Sequence, residues 1–188
     1  MIPAALLHNS GVDLSGYDAL GLRLTGTAGA GVFGGVTADA LLNINTGEFS
    51  LFGTVEFGML GGEAGSASIG WFAVSGLPSN NSYSGPVFAH GAVAGSYMAT
   101  SYEQFWGAPQ SVDVAPSDMP NGGVITVGGG AGLGVYRSLG YGYEIYQMNA
   151  MGSQAWSPFD AGRALRELLT AFRVDLQQTP ALPWLPRR

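Results

Sequence analysis

The sequence predicts an all-β protein: an antiparallel Gly-rich β-barrel of about eight strands, with one C-terminal amphipathic α-helix. Three observations predict it. The chain of 188 residues holds 31 glycines, about twice the usual share, while only 11% of its residues are charged. Apolar and polar residues alternate through several segments, as they do in strands with two different faces. Clusters of Gly, Asn and Pro separate these segments, as turns do.

The chain divides into three parts. Residues 1–18 are expected to form an N-terminal cap or linker, residues 19–152 the barrel, and residues 153–188 a helix with a Pro-rich tail. Asn45-Thr46-Gly47 marks a hairpin turn inside the barrel. The candidate strands are 20–28, 30–44, 48–61, 66–76, 87–105, 123–136 and 140–150. The longest of them can each split into two strands.

The two faces of a strand are clearest in residues 48–60. One face carries Phe49, Leu51, Val55, Phe57 and Met59, and the other carries Glu48, Ser50, Thr54 and Glu56. Arg23, Thr25 and Thr27 likewise lie opposite Leu20, Leu22 and Leu24. In a water-soluble barrel the apolar faces fill the interior and the polar faces meet water, and we expect this arrangement here. Glu56→Arg should then change stability by no more than about 0.5 kcal/mol.

The pattern becomes helical near residue 157, and we expect a helix over about residues 158–175. Ser157, Pro158 and Asp160 supply an N-cap, a first-turn proline and an acidic residue near the helix start. Apolar residues then recur at helical spacing, at Leu165, Leu168, Leu169, Phe172 and Leu176. We expect this apolar face to cover one barrel opening or to lie along the barrel wall.

Charge and cysteine content narrow the function classes. Residues 1–158 hold two arginines against ten acidic residues, so this part repels phosphate groups and nucleic acid is not an expected partner. The absence of cysteine excludes disulfides and thiolate metal sites. Residues 1–7 lack the charged and apolar regions of a signal peptide, and no apolar run has the length of a membrane-spanning helix.

Two Gly-rich stretches resemble a known group of bacterial domains. One is NGGVITVGGGAGLGVYRSLGYGYEIYQMN at residues 121–149, and the other extends from GEFSLFGTVEFGMLGGEAGSASIG to SGPVFAHGAVAG within residues 47–95. They are similar to barrel-like domains near the C-termini of Rhs-repeat and other polymorphic-toxin-type bacterial proteins, over about residues 26–149. The resemblance implies a surface-exposed or delivered bacterial module, secreted or at the cell surface when it is part of a larger protein. It implies no catalytic residues, and the chain lacks Rhs shell repeats.

Cofactor and metal motifs are weak. The segment 29–34 fits the G-x-G-x-x-G spacing of dinucleotide sites, but a strand pattern follows where that motif requires a helix. His8 and His90 have no second ligand at metal-binding spacing. We therefore expect no cofactor and no metal.

Three functions stay open at this point. The favoured one is a non-catalytic module that binds an apolar small molecule or assembles with copies of itself, with Trp71, Tyr97, Tyr136 and Tyr143 as ligand-lining candidates. The second is a small-barrel enzyme that acts on an apolar substrate through a lumen pair of His90 and Glu56. The third, not favoured, is a membrane-inserting pore. Five charged residues lie within the predicted strands, and they are Arg23, Asp39, Glu56, Arg137 and Glu144. Their side chains either form a paired network in the interior or point to water.

Overall fold

Antiparallel strands make up most of the structure. The computed structural model describes residues 16–77, 79–107 and 121–178. One helix follows the strands, which confirms the predicted fold class at this level. The elements in chain order are β1 (Ala19–Asn43), β2 (Phe49–Ser75), a 3-10 turn (Asn80–Tyr83), β3 (Gly85–Ser96), β4 (Met98–Gly107), β5 (Asn121–Met148), β6 (Gln154–Trp156) and α1 (Ala161–Gln178).

The three long strands form the centre of one sheet. The strand order is β1-β2-β5-β3-β4, and β5 also pairs with β4. β1 and β2 are joined by the predicted turn at residues 45–47, and they pair from Leu42 opposite Phe49 to Ala19 opposite Val74. β2 pairs with β5 over nearly the whole length of both strands. Each long strand thus unites two of the predicted shorter ones, while the predicted strand 87–105 is divided into β3 and β4.

The sheet folds back on itself at the middle of the long strands. β5 pairs through residues 132–142 with β3 and through residues 121–129 with β4, in both cases antiparallel. Because β3 and β4 are themselves antiparallel, the two halves of β5 must run in opposite directions. Gly62 and Gly130 lie at this bend with φ of +136° and +153°, values that residues other than glycine rarely adopt.

The bend creates two layers that face each other. The first layer contains residues 19–30, 63–75, 98–107 and 121–129, and the second contains residues 31–43, 49–61, 85–96 and 131–148. β3 and β4 join the layers along one side. On the other side the two halves of β1 meet, and we call this line the seam. Ile44 donates to the carbonyl of Asp18 at the end of the seam (2.8 Å), but no strand ladder crosses it in the described residues. The predicted closed barrel and its strand count are therefore not confirmed.

An aromatic core fills the space between the layers at the end away from the bend. Its largest members are Phe52, Phe72 and Phe105, and Leu41, Val74, Leu77 and Val124 pack around them. Tyr83 of the 3-10 turn closes this end by contacting the rings of Phe52 (4.9 Å between centroids) and Phe105 (6.0 Å).

The predicted alternation along the strands is present, but the predicted inside and outside are exchanged. Arg23 and Glu56 are only 6% and 7% exposed, whereas Phe57 and Met59 are 53% and 75% exposed. The expectation that the polar faces meet water was therefore wrong. Glu56→Arg is correspondingly no longer expected to be silent, since it would place a longer, oppositely charged side chain in a packed interior.

Helix α1 lies along the outer wall of the second layer. Leu168 packs on Phe88 and Leu139, and the hydroxyl of Tyr141 donates to Glu167 (3.0 Å). The helix begins later than predicted, because the N-cap is Asp160, whose Oδ1 accepts from the backbone N–H of Arg163 (3.0 Å). Before it, β6 adds a short strand to the end of β5.

Candidate functional site

A buried ion pair joins the two layers across the seam. Arg23 donates from Nε to Oδ1 of Asp39 and from Nη2 to Oδ2, both at 2.8 Å. Its Nη1 donates to Oε1 of Glu103 on β4. Because Arg23 and Asp39 belong to opposite halves of β1, the guanidinium group holds three strand segments together. Such two-point contacts between a guanidinium and a carboxylate are among the strongest hydrogen bonds in proteins.

Aromatic side chains enclose this ion pair. The guanidinium carbon of Arg23 lies 5.3 Å from the ring centre of Phe72 and 4.7 Å from that of Phe105, within range of cation–π attraction. The Tyr83 hydroxyl accepts from Nη2 of Arg23 (3.0 Å) and donates to Oδ2 of Asp39 (2.9 Å). Burial raises the pKa of the Tyr83 hydroxyl well above its usual value, so the group keeps the proton that it donates. Tyr136 donates in the same way to Oε2 of Glu103 (2.8 Å).

Glu56 is the third buried carboxylate of the interior. It projects from the second layer and accepts a hydrogen bond from the Ser138 hydroxyl on Oε2 (2.8 Å). Among the described residues, the interior thus holds the carboxylates of Asp39, Glu103 and Glu56 against the guanidinium of Arg23. Since Arg23 binds the first two, Glu56 is left with a neutral hydroxyl as its hydrogen-bond donor.

Hydroxyl groups line the space between Glu56 and the bend. Ser68 donates to Thr126 (2.9 Å), Thr126 and Ser101 share a hydrogen bond of 2.6 Å, and Thr27 and Ser66 share one of 3.2 Å. These groups line part of a cavity of about 30 Å³, together with Arg23, Glu56, Glu103, Tyr136 and several apolar side chains. A cavity of this size holds roughly two water molecules.

The outer face of the folded sheet is apolar on both layers. Large exposed side chains of the first layer are Leu24, Ile69, Trp71, Met98, Tyr102, Ile125 and Val127, and those of the second layer are Val32, Val36, Val55, Phe57, Met59, Leu133 and Val135. Among the described strand residues, the exposed charged side chains are Glu63, at the bend, and Arg137. We call these two faces the outer apolar surface.

The candidate catalytic pair is not brought together. Glu56 lies between the layers, whereas His90 is exposed on the outside of β3, where it pairs in register with Arg137 of β5. The sheet itself separates the two side chains. The geometry therefore offers no acid–base pair of His90 and Glu56.

The four aromatic ligand-lining candidates lie in different surroundings. Trp71 is on the outer apolar surface, and Tyr97 is exposed in the turn between β3 and β4. Tyr143 is half-buried beside Phe159, with ring centres 4.4 Å apart. Only Tyr136 lines the interior cavity. They therefore do not line a common pocket.

The interior network contains only some of the charged residues that the sequence suggested for it. Arg23, Asp39 and Glu56 belong to it, whereas Arg137 lies outside and Glu144 lies half-buried near the end of β5. Sequence reasoning missed Glu103 and Tyr83. A signal existed for Glu103, because strand alternation places it on the face opposite Tyr102 and Gln104. None existed for Tyr83, which reaches the interior from a turn.

Comparisons with known proteins add no relative. No family model, curated protein or solved structure matches the chain. In the described residues, no helix is long and apolar enough to cross a membrane. The same residues contain no cluster of three or more His, Cys, Asp or Glu side chains able to hold a metal ion.

Proposed function

We propose that this chain is a membrane-inserting β-sheet module whose outer apolar surface contacts lipid. The observation that carries the proposal is the polarity of the folded sheet: charged side chains lie between the layers beside the aromatic core, and many large apolar side chains face outward. Transmembrane β-barrels have this arrangement, with an apolar band outside and polar residues inside. A water-soluble protein has the reverse.

The position of the apolar side chains favours lipid over a protein partner. Trp71 and Ile125 are exposed on the first layer, and Val55 and Phe57 are exposed on the second. The outer faces of the two layers point in opposite directions, so one partner docked on one outer face would leave the other outer face in water. A lipid phase surrounds the molecule and covers both faces at once.

The dimensions of the layers also suit a bilayer. Each half of β1 or β2 has about 12 residues, which extend over roughly 40 Å. With the usual strand tilt this length crosses a hydrocarbon core of about 30 Å. In the membrane form that we propose, the eight strand segments complete a barrel by pairing across the seam, because an open sheet edge is not tolerated in lipid.

The interior argues for a plugged module and against an open pore. The aromatic core fills one end, the Arg23 ion pairs cross the middle, and the cavity beyond them measures only about 30 Å³. Drug-sized ligands occupy pockets of about 300–1,000 Å³. The same volume argues against an apolar ligand or substrate inside the sheet. A plugged, lipid-facing module suits the delivered or surface-exposed bacterial protein that the resemblance to Rhs-type domains implies.

A vesicle flotation experiment tests the proposal. The purified chain is diluted from a neutral detergent into phospholipid vesicles, and the floating fraction is measured. The matched variants are Met59→Glu, on the outer apolar surface, and Met151→Glu, in the exposed turn after β5. We expect the chain and Met151→Glu to float, and Met59→Glu to lose most of this binding, because a charge facing lipid is costly.

Two outcomes would contradict membrane insertion. One is a chain that stays at the bottom of the gradient as a soluble monomer. The other is a defined soluble oligomer that ignores vesicles and that Met59→Glu dissociates, which would assign the outer apolar surface to contacts between copies.

A further inference from the structure

Helix α1 covers part of the outer apolar surface. Phe57 of β2, Leu139 of β5 and Phe88 of β3 are paired in register, so their side chains share the outward face of the second layer. Phe57 is about half exposed, whereas Leu139 and Phe88 are buried because Leu168 of α1 packs on them. The surface that we assign to lipid therefore continues beneath the helix.

The contact between α1 and the sheet is one that lipid can replace. Its apolar part is Leu168, and Ala164, one turn earlier on the helix, is buried too. Its polar part is the Tyr141 hydroxyl, which donates to Oε2 of Glu167 (3.0 Å), while Oε1 accepts from Nε of Arg163 (2.6 Å). Exposed ion pairs of this kind add little to stability. Lipid tails are as apolar as leucine, so they cover Phe88 and Leu139 as well as the helix does.

The charged side of α1 is incompatible with a place in the hydrocarbon. Leu168 meets the sheet at the level of Phe57, within the second-layer segment 49–61 of β2. When that layer crosses a bilayer, this level lies inside the hydrocarbon core. Arg163 and Arg166 are exposed on α1, and an arginine at this depth is costly. The docked helix and the inserted sheet therefore exclude each other.

α1 has a second apolar ridge that the sheet does not use. Leu165 and Leu169, one turn apart, are both more than half exposed while the helix is docked. Together with Leu168 they form one apolar side, and Arg163 and Arg166 lie on the opposite side. A helix with leucines on one side and arginines on the other is typical of helices that lie in the membrane interface.

We propose that α1 is a detachable cover of the outer apolar surface. It lies on the second layer in water and in detergent, leaves the sheet as the sheet enters a bilayer, and then lies in the membrane interface with its leucines toward lipid. A micelle can end at the edge of the helix, whereas a bilayer surrounds the whole circumference of the sheet. This inference rests on the proposed membrane insertion and adds the step that controls it.

A covalent link between α1 and the sheet tests the cover. The chain contains no cysteine, so Tyr141→Cys and Glu167→Cys are joined specifically by a short bis-maleimide in neutral detergent, and flotation with vesicles is then measured. One control is the same double variant with its two thiols capped separately by N-ethylmaleimide. The other joins Arg163→Cys to Glu167→Cys, which lie one turn apart within α1. We expect both controls to float like the parent chain, and the chain with α1 linked to the sheet to lose most of its flotation.

The rate of vesicle binding gives a second, independent measurement. Leu168→Ser loosens the contact with the sheet, and we expect it to bind vesicles several-fold faster than the parent chain, as followed by tryptophan emission. Leu165→Ser makes the same change on the exposed ridge and should bring no such increase, since loss of apolar area alone slows binding to lipid.

The outcomes separate the cover from membrane insertion. Equal flotation of the linked and the capped chains would overturn the cover and leave membrane insertion intact. Leu168→Ser that binds no faster than the parent chain would overturn it as well. A parent chain that does not float would contradict membrane insertion, and the cover with it.

Discussion

Arg23 and Asp39 lie sixteen residues apart on one strand and still form a two-point ion pair, at 2.8 Å for each contact. They meet because β1 bends back on itself between them. The pair therefore bridges the seam, the one side of the folded sheet that no strand ladder closes in the described residues. The inward-facing ion pair and the backbone hydrogen bond from Ile44 to Asp18 both link the two halves of β1 there.

Removing the guanidinium should be the most damaging single change in the interior. Arg23→Met leaves the carboxylates of Asp39 and Glu103 buried without their cation. We expect the free energy of unfolding, measured by urea titration in neutral detergent, to fall by about 3–5 kcal/mol. Arg166→Met, an exposed position on α1, should change it by about 0.5 kcal/mol or less. Similar small effects of both substitutions would show that the ion pair does not hold the seam.

The packing of α1 on the sheet should depend on Leu168 and not on Leu165, one turn earlier. Leu168 packs on Phe88 and Leu139, whereas Leu165 is exposed. We expect Leu168→Asp to lower the free energy of unfolding by about 3 kcal/mol, because it buries an unpaired charge. Leu165→Asp should cost less than about 0.5 kcal/mol in the same titration. The reverse order would mean that α1 packs through its other face.

The start of the helix should respond to acid through Asp160. Its pKa is held below the usual value because its carboxylate accepts from the backbone N–H of Arg163. Because the pKa is lowered, the cap stabilises the helix fully when the pH is above the usual pKa of an aspartate. This stabilisation is lost as the pH falls through the lowered pKa. Circular dichroism at 222 nm should therefore show helix loss in strong acid that Asp160→Asn, whose amide oxygen still caps, does not share. An identical acid response in Asp160→Asn would assign the loss to another group.

In the unsubstituted chain, the charge of Arg137 should weaken membrane insertion. It is an exposed charged side chain within the outer apolar surface, on the second layer. Since a lipid-facing arginine costs about 2–4 kcal/mol near the bilayer centre, Arg137→Leu should raise the ratio of vesicle-bound to free protein by at least about tenfold. The control is Arg166→Leu, which removes a charge from α1 instead. An unchanged ratio in Arg137→Leu would place this position outside the lipid.

Local pattern was enough to predict the strands and their two faces. Leu20, Leu22 and Leu24 do lie opposite Arg23, and Phe57 lies opposite Glu56, as alternation requires. The helix near residue 165 and the turn at residues 45–47 were also predicted from local signals. These features depend on neighbours in sequence, so they can be read without the tertiary structure.

The orientation of the sheet could not be predicted in the same way. Alternation is unchanged when the two faces are exchanged, so residues 48–60 read identically for a water-soluble and a lipid-facing sheet. The bend was also hidden, because glycines such as Gly62 and Gly130 resemble turn residues between separate strands. The contacts of Arg23 with Glu103 and Tyr83 join residues 80 and 60 positions apart, and such pairs follow only from the folded topology.

Depth-dependent quenching of Trp71 tests the central claim most directly. Trp71 is 74% exposed on the first layer, and the other three tryptophans can be replaced by phenylalanine to make its emission the sole signal. With vesicles that carry bromine on the lipid acyl chains, the account predicts a blue-shifted emission that the brominated lipid quenches and aqueous iodide does not. Emission that stays at the wavelength of water-exposed tryptophan, quenched by iodide and insensitive to brominated lipid, would contradict the assignment of the outer apolar surface to the membrane.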